Sequence, residues 1–307
     1  MKELQEILDA WEKQRGAPLA LATLVRANGS SYRRPGARML IMPSGATVGS
    51  ISAGCLEEEV AIRAAEVLRT GVPTTMSFDT RRRFGCDGTI EVFIERASDD
   101  FFSNLARNFA SRRPCVITTA FHDTENPGSF VTSDHCDANW GTFCQRVEPP
   151  LRLIIIGDEP EGKSLRQLAT LLGWEIVTCA SAEDMPGEID SRTAAVVKTH
   201  HYGRDCAALR TLLPKGLTYL GLIGPRRRRD QILGDLFDSG AELTSQLFAP
   251  AGLDLGAEGP EEIALSVIAE IEKVFAEAAG ESLRDRKAPI HSAKPEPAPA
   301  SSKLLQA

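Results

Sequence analysis

The stretch Glu148-Pro-Pro-Leu-Arg-Leu-Ile-Ile-Ile-Gly157 decides how this chain of 307 residues is organised. Its two prolines can neither continue a helix nor donate to a sheet ladder, so they separate the segments on either side. The apolar run 151–156 then predicts a strand buried on both faces, which is typical of a parallel sheet. We place a domain boundary here, with one domain over 1–147 and a second over 151–284.

Strands and helices alternate after this boundary. A helical pattern runs to about 172 and is followed by strand patterns at 174–178, 194–199 and 219–223. The last helix begins at Pro260, because proline suits a first turn, and extends to about 279. This alternation predicts a Rossmann-like, doubly wound parallel sheet. The remainder, 285–307, is rich in Lys, Pro, Ala and Ser and is predicted to be a disordered tail.

The segment before the boundary has a different pattern. Apolar residues at Leu4, Ile7, Leu8 and Trp11 share one helix face, and a second helical spacing covers 56–69. Strand patterns are found at 19–25, 38–42, 90–94, 115–121 and 141–147. The predicted fold class is therefore α/β, with an N-terminal α+β domain followed by a Rossmann-like doubly wound domain.

Composition excludes several classes of protein. A net charge of -7 and a pI near 5.4 argue against nucleic acid as a partner. No apolar run approaches the roughly 18 residues of a membrane span, and the N-terminus lacks the features of a signal peptide, so we expect a cytoplasmic protein. Seven cysteines without a CxxC pair predict reduced thiols. His122, His135, Cys136 and Cys144 match no common zinc spacing.

Two cysteines lie in glycine-rich contexts. Cys55 follows Gly54 just before the 56–69 helix, where unpaired N–H groups and the helix dipole favour a thiolate. Cys86 lies between Gly85 and Asp87-Gly88, in a turn that lets a ligand approach the backbone. The alternatives are a small buried hydrophobic residue and an ordinary tight turn. Thiols suit a soft or high-valent metal, or carry sulfur as a persulfide.

Arginines decorate the loop between the first two strands. Arg33, Arg34 and Arg38 accompany Ser30 and Ser31 there, and guanidinium forks with hydroxyl donors on a glycine-rich loop fit a phosphate. The alternative is a solvated charged face, and it applies equally to the run 226–229.

The second domain opens with a literal P-loop string, Gly157-Asp-Glu-Pro-Glu-Gly-Lys-Ser164. Three acids stand where phosphates would lie, and Pro160 removes one N–H of the cradle, so nucleotide hydrolysis is disfavoured. The string is equally poor as a dinucleotide GxGxxG pattern, and the second strand ends Thr178-Cys-Ala-Ser181 without an acid for a ribose. NAD(P) binding is therefore doubtful. His200 and His201, with Asp205 downstream, are weaker candidates for binding or proton transfer.

Several long motifs together resemble the XdhC/CoxI family. In the first half they are Gly29-Ser-Ser-Tyr-Arg-Arg-Pro-Gly-Ala37, Gly49-Ser-Ile-Ser-Ala-Gly-Cys-Leu-Glu57 and Phe84-Gly-Cys-Asp-Gly-Thr-Ile-Glu-Val-Phe-Ile-Glu95. In the second half they are Tyr219-Leu-Gly-Leu-Ile-Gly-Pro-Arg-Arg-Arg228 and Gly252-Leu-Asp-Leu-Gly-Ala-Glu-Gly-Pro-Glu-Glu-Ile-Ala-Leu-Ser266. The chain departs from the family at Gly157-Asp-Glu-Pro160 and at Thr199-His-His-Tyr202, where the family has glycine-rich and T-H-D-H segments.

The resemblance implies an accessory protein that binds the molybdenum cofactor, supports its sulfuration and inserts it into a xanthine dehydrogenase-type molybdenum hydroxylase. It implies an apo-hydroxylase and a cysteine desulfurase as partners, and it is compatible with a homodimer. The implied metal ligands are Cys55 and Cys86. The full set of implied cofactor-binding residues is Ser30, Ser31, Arg33, Arg34, Gly36, Gly54, Cys55, Glu57, Gly85, Cys86, Arg226, Arg227 and Arg228. The alternative is an NAD(P)-binding oxidoreductase that uses the Rossmann-like domain.

Overall fold

The computed structural model describes most of the chain. The described ranges are 1–29, 31–79, 88–122, 126–132, 136, 139–157, 161–185, 188–238, 240–241 and 244–287. The predicted tail therefore lies almost wholly outside the described residues. Of the predicted site residues, Ser30, Gly85 and Cys86 also lie outside them.

In the residues that the structure describes, the N-terminal part has two antiparallel sheets and three helices. The helices are α1 (Lys2–Lys13), α2 (Glu57–Thr70) and α3 (Asp99–Ala110). The larger sheet has the order β3-β2-β1-β5-β4, and the smaller has the order β7-β6-β8. The strands are β1 (Ala20–Gly29), β2 (Arg38–Ile41), β3 (Thr47–Gly49), β4 (Thr74–Asp79), β5 (Gly88–Arg96), β6 (Cys115–Ala120), β7 (Gly128–Thr132) and β8 (Thr142–Val147).

Both faces of the larger sheet are covered. Its strands alternate, so Ala22 and Leu24 on β1 pack with Val60 and Ala64 of α2. The opposite face, through Leu21, packs against α1, α3 and the smaller sheet. The predicted apolar face of α1 is confirmed, since Leu4, Ile7, Leu8 and Trp11 are all buried. The α+β prediction is correct, although the sequence patterns did not predict α3, β3, β4 or β7.

The C-terminal domain is a five-stranded parallel sheet with the order β10-β9-β11-β12-β13. Its strands are β9 (Arg152–Ile156), β10 (Glu175–Cys179), β11 (Thr193–Val197), β12 (Tyr219–Leu222) and β13 (Leu247–Phe248). Its helices are α4 (Glu161–Leu171), α5 (Tyr202–Leu212), α6 (Arg226–Asp238) and α7 (Pro260–Phe275). Helices α4 and α7 cover one face and α5 and α6 the other, so the predicted doubly wound architecture is confirmed.

The N-terminal part contacts the amino ends of these parallel strands. Arg112, just after α3, donates to Asp190 ahead of β11 at 2.5 and 3.1 Å and to Glu175 of β10 at 2.6 Å. A Cβ on Gly173, next to β10, would lie 2.7 Å from the Cβ of Lys2 on α1. The carboxyl edge of the sheet, where open α/β folds bind ligands, is the opposite edge.

The prediction that every cysteine is a free thiol is wrong for one pair. Cys136 and Cys144 form a disulfide, with their Cα atoms 6.0 Å apart. The backbone reverses between Asn139 and Thr142, which pair with each other. This reversal brings together two cysteines that are 8 residues apart in the sequence. The free cysteines among the described residues are Cys55, which is exposed, Cys115 and Cys179, which are buried, and the half-buried Cys206.

Candidate functional site

Two of the motif loops meet through Arg33. This residue lies in the loop that joins β1 to β2. Its guanidinium donates to Ser50 Oγ at 2.9 Å and to the carboxylate of Glu3 on α1 at 2.5 Å. Ser50 follows β3 and begins the segment that leads to Cys55. We call 30–37, which joins β1 to β2, the arginine loop, and 50–56, which joins β3 to α2, the cysteine loop. The side chain of Arg33 therefore joins the arginine loop to the cysteine loop.

The described part of the third motif begins beside the last residue of β1. Gly88, the first residue of β5, is the register partner of Gly29, the last residue of β1. Gly29 leads into the arginine loop, and Gly88 follows the Cys86 turn in the sequence. The start of β5 therefore lies beside the point where the arginine loop begins.

Glu57 holds the cysteine loop from within. Its carboxylate accepts hydrogen bonds from the Ile51 and Ser52 amides at 3.2 and 2.7 Å, from Ser52 Oγ at 2.5 Å and from the Leu56 amide at 3.1 Å. Ser52 Oγ in turn accepts from the Cys55 amide at 3.0 Å. Burial by itself would raise the pKa of Glu57, but these hydrogen bonds outweigh it and lower that pKa.

Cys55 is exposed at the top of this loop, directly before α2. Gly54 precedes it with a φ of 99°, a left-handed conformation that favours glycine. The Glu57 carboxylate accepts hydrogen bonds from the amides of Ile51, Ser52 and Leu56, so its negative charge stabilises the loop backbone. The glutamate predicted as a cofactor-binding residue is thus observed as a residue that shapes the loop.

The arginine loop borders a cavity of about 520 Å³. Its walls include Glu3, Tyr32, Arg33, Arg34 and Gln145. Arg33 is committed to Glu3 and Ser50, whereas Arg34 and Tyr32 are exposed. The Ser31 hydroxyl donates to the Arg33 carbonyl at 2.7 Å, so this predicted phosphate donor is engaged within its own loop. Of the loop residues described, Arg34 is the one best placed to meet a ligand anion.

Arg38 is a buried cation that contacts the arginine loop. It donates to the Gly36 carbonyl at 3.0 Å and to Gln145 Oε1. Burial lowers its pKa to about 10, although Glu95 and Glu3 act in the opposite direction. Gly36 has a φ of 99°, and a Cβ there would lie 2.6 Å from Gln145 Nε2. The predicted ligand residue Gly36 is therefore required by backbone shape and close packing.

Arg226, Arg227 and Arg228 open α6 at the carboxyl end of β12. Arg226 and Arg227 are exposed, while Arg228 pairs with the buried Asp205 at 2.5 Å. Asp205 also accepts from the Thr199 amide at 3.1 Å and the Thr199 hydroxyl at 2.5 Å. Arg228 and Asp205 therefore tie α6 to the end of β11.

The structure does not bring the two arginine groups together within one chain. Arg33 pairs with Glu3 on α1, and α1 packs against Gly173 at the amino edge of the parallel sheet. Arg226 lies at the carboxyl edge. A strand of five residues separates these edges by roughly 16 Å.

The geometry also shows two residues that the sequence patterns missed. Glu3 precedes the apolar face of the first helix, and no local pattern connects it to a loop 30 residues away. Ser50 lies inside the Gly49-Ser-Ile-Ser motif, and its place in that motif was the sequence signal that could have identified it.

Comparisons with known proteins match both parts of the chain. A model described as the XdhC and CoxI family matches residues 13–79, and a model described as the XdhC Rossmann domain matches residues 153–271. A Bacillus subtilis protein, named as a probable subunit of xanthine dehydrogenase, is 31% identical in an alignment 310 positions long, which covers 82% of this chain and 91% of that protein. The chain belongs to the XdhC and CoxI family.

Two further relatives agree with this membership. The Escherichia coli protein PaoD, named a molybdenum cofactor insertion chaperone, is 27% identical to the chain and is aligned over 84% of each. A crystal structure from Bacillus halodurans, named a xanthine dehydrogenase, superposes with a TM-score of 0.75 at 24% identity. That superposition covers 90% of this chain and 96% of the other, and it shows the shared fold.

The XdhC and CoxI model covers both loops that Arg33 joins, since 13–79 contains Arg33, Ser50 and Cys55. Within the described ranges, no group of three or more His, Cys, Asp and Glu side chains is arranged to hold a metal ion. Nor does any helix in those ranges combine the length and apolar character needed to cross a bilayer.

Proposed function

We propose that this member of the XdhC and CoxI family is an accessory protein that carries the molybdenum cofactor as cargo. On this proposal it supports sulfuration of the cofactor and delivers it to a xanthine dehydrogenase-type hydroxylase. The observation that carries the proposal is the contact between the arginine loop and the cysteine loop, which the hydrogen bond from Arg33 to Ser50 joins. The names of the relatives support the same class of cargo and acceptor.

The residues fit such cargo in their chemistry. An exposed thiol suits molybdenum, and an exposed guanidinium such as that of Arg34 suits the phosphate of a pterin cofactor. The cavity of about 520 Å³ beside Arg34 is of the size that binds small molecules. Cys55 and Arg34 are therefore the two residues to which we assign direct contact, with Arg33 and Glu57 as positioning residues.

The proposed transfer of sulfur uses two thiols, one that accepts the sulfur and one that releases it. The Cys55 thiolate attacks the outer sulfur of a persulfide on a cysteine desulfurase, whose own cysteine leaves as a thiolate. Cys86 then attacks the inner sulfur of the Cys55 persulfide, which releases hydrosulfide and leaves a Cys55–Cys86 disulfide for a cellular thiol to reduce. Hydrosulfide and one proton replace the oxo ligand of molybdenum, and water is the other product.

Arg226 and Arg227 lie at the edge of the parallel sheet opposite to the arginine loop, so the set of residues expected to bind the cofactor has to be divided. One cofactor cannot be held jointly by these residues and Arg34 within one chain unless it spans the second sheet. We therefore assign the cofactor to the loops of the N-terminal part. Two copies of the chain could still place both groups on one ligand, which would make homodimerisation functional.

The test is retention of cofactor by purified protein. Wild type, Cys55→Ser, Cys86→Ser and Cys55→Ser/Cys86→Ser are incubated with molybdopterin and passed through a desalting column. Retained molybdenum and the fluorescence of oxidised pterin are then measured. We expect a loss of about tenfold or more in the double variant, corresponding to about 1.4 kcal/mol of binding free energy.

Two matched controls separate ligand contact from general damage. Cys206→Ser removes a half-buried thiol from α5, and Arg15→Ala removes an exposed arginine that stacks on Trp11, for comparison with Arg34→Ala. Both controls should retain the cofactor as wild type does. Equal retention by wild type and the double cysteine variant would refute the role of the thiols.

A further inference from the structure

The disulfide of this chain lies in the connection between β7 and β8. Cys144 is on β8, where it is the register partner of Thr118 on β6. Cys136 precedes the chain reversal at Asn139 and Thr142, and both cysteines are half-buried. We call Cys136 together with 139–144 the tip of the smaller sheet. The disulfide ties the incoming side of this tip to a strand that the sheet ladder holds in place.

The tip packs against two strands of the larger sheet. Arg26 on β1 donates to the Trp140 carbonyl at 2.5 Å and to the carboxylate of Glu91 on β5 at 3.0 Å. The Trp140 ring stacks on His122, with the ring centroids 4.4 Å apart and an angle of 12° between the planes. The His122 ring in turn lies 3.6 Å from the Glu91 carboxylate. The position of the tip is therefore linked to an ion pair between β1 and β5.

This ion pair lies near the start of the arginine loop. Arg26 and Glu91 are register partners, three positions along the same ladder from Gly29 and Gly88. Three residues of a strand span roughly 10 Å. Gly29 leads into the arginine loop, and Gly88 follows the Cys86 turn in the sequence. The tip thus contacts the two strands that lead to these loops.

Noncovalent contacts hold Trp140 only in part. The residue is 72% exposed, whereas Trp11 and Trp174, the other two tryptophans of the chain, are buried. Because most of the indole faces solvent, its stack on His122 and its contact with Arg26 bury little apolar surface. The covalent link through Cys136 therefore adds a constraint that the exposed ring does not supply.

The position of the disulfide in the chain favours its reduction by thiols. Cys136 and Cys144 are separated by 8 residues in the sequence. Closing so short a loop removes less entropy from the unfolded chain than closing a long one, so the bond stabilises the folded chain less. Neither cysteine is fully buried, so a thiolate has access to the pair. Disulfides that are accessible and add little stability are the ones that exchange readily.

The same segment favours reoxidation. The Asn139 and Thr142 backbones exchange two hydrogen bonds of 3.3 Å, and Asn139 Oδ1 accepts from the Gly141 amide at 2.8 Å. The Gly141 carbonyl accepts from the Phe121 amide at 2.9 Å. None of these bonds involves sulfur, so they persist after reduction and keep the two cysteines near their Cα separation of 6.0 Å. The thiols stay close enough to form the disulfide again.

We propose that Cys136 and Cys144 form a reversible redox switch whose reductant is a small thiol such as glutathione. A glutathione thiolate attacks one sulfur, and the other cysteine leaves as a thiolate. A second glutathione then attacks the mixed disulfide, so the pair gains two electrons and two protons while two glutathiones become one disulfide. The disulfide form fixes the tip on Arg26 and His122, and the dithiol form opens there more often. No cofactor takes part, so this proposal and the proposed function can fail separately.

The first measurement is the redox state of the pair in glutathione buffers. The full chain is equilibrated with about 5 mM reduced glutathione at ratios of reduced to oxidised form from about 1 to about 1,000, and is then alkylated. Peptide mass spectrometry reads Cys136 and Cys144 separately from the other cysteines. We expect the disulfide to predominate at the lowest ratio and the dithiol at the highest. The same state at both ends of the range would overturn the proposal.

The second measurement is the opening of the tip. Amide hydrogen exchange at Phe121 and His122, which both donate to the Gly141 carbonyl, should accelerate about fivefold or more on reduction. The fluorescence anisotropy of Trp140 should fall at the same time, and Trp140→Phe should lose this change while its cysteine pair still responds to the glutathione ratio. Equal exchange at Phe121 and His122 in the two redox states would overturn the proposal.

Variants assign the response to this pair of cysteines. Cys136→Ser/Cys144→Ser should exchange at Phe121 and His122 as reduced wild type does, at every glutathione ratio. Cys206→Ser, which removes a half-buried free thiol from α5, should keep the full response of wild type. A double variant that exchanges as slowly as oxidised wild type, or a response lost in Cys206→Ser, would overturn the assignment.

Discussion

Replacing Glu57 by glutamine tests how the cysteine loop is held. The Glu57 carboxylate accepts four hydrogen bonds from the loop 50–56, and two of these reach the oxygen Oε2, from Ser52 Oγ at 2.5 Å and the Leu56 amide at 3.1 Å. Glutamine keeps one oxygen but presents an NH₂ group at the other position. The Leu56 N–H then faces a donor, and the remaining bonds lose the contribution of the negative charge.

The expected cost follows from that count. Two lost or weakened hydrogen bonds at about 0.5–1.5 kcal/mol each give about 1–2 kcal/mol, with solvent access at this half-buried site keeping the value at the lower end. Hydrogen bonds lower the pKa of Glu57 in the folded chain. Its stabilisation is therefore present above the unfolded pKa and is lost as the pH falls through the folded pKa. The difference between Glu57→Gln and wild type should shrink at acidic pH.

The assays are urea unfolding and amide hydrogen exchange. We expect the free energy of unfolding to fall by about 1–2 kcal/mol at pH 7. Exchange at the Ser52 and Leu56 amides should accelerate about five- to thirty-fold. Glu58→Gln, which removes an exposed neighbouring acid, should change stability by less than about 0.5 kcal/mol. Unchanged exchange at Leu56 in Glu57→Gln, or equal effects of the two variants, would refute this account of the loop.

Three further predictions concern buried or closely packed residues. Arg38→Met removes the donor of the Gly36 carbonyl and Gln145 and the cation that opposes the burial-raised pKa of Glu95, so unfolding free energy should fall by about 1–3 kcal/mol at pH 8 and by less at pH 5, because a lower pH favours the protonated form of Glu95. Urea titrations at the two pH values measure this; an equal loss at both would contradict it. Gly49→Ala forces a Cβ to 2.4 Å from a backbone carbonyl at a φ of 83°, and thermal unfolding should show a loss of about 2–4 kcal/mol. Burial raises the pKa of Asp190, but hydrogen bonds from Arg112 and Thr193 outweigh it and lower that pKa, so Arg112→Ala should cost about 1–2 kcal/mol near pH 7 and progressively less as the pH falls through the folded pKa. A pH-independent loss would show that packing, rather than charge, links the two parts of the chain.

Local sequence determined the elements whose apolar residues repeat on one face. The four buried residues of α1 follow a helical spacing, and the run 151–156 could only be a strand inside a covered sheet. Glycine contexts singled out the Cys55 segment, and the structure leaves Cys55 exposed. The motif order identified the family, because several long strings must match at once.

The tertiary structure decided what each singled-out side chain does. Sequence treated Arg33, Arg34 and Arg38 as equivalent, but long-range partners make the first a link between loops, leave the second exposed and bury the third. Likewise, the disulfide between Cys136 and Cys144 depends on a chain reversal that has no spacing signature.

The same division holds for the C-terminal domain. The sequence showed a Rossmann-like domain with a poor glycine pattern, but only the strand order located the switch point of its sheet. The physical reason is that periodicity reports which residues a single element buries. The contacts of a polar side chain depend on residues far away in the chain, and packing alone brings those residues within hydrogen-bond distance.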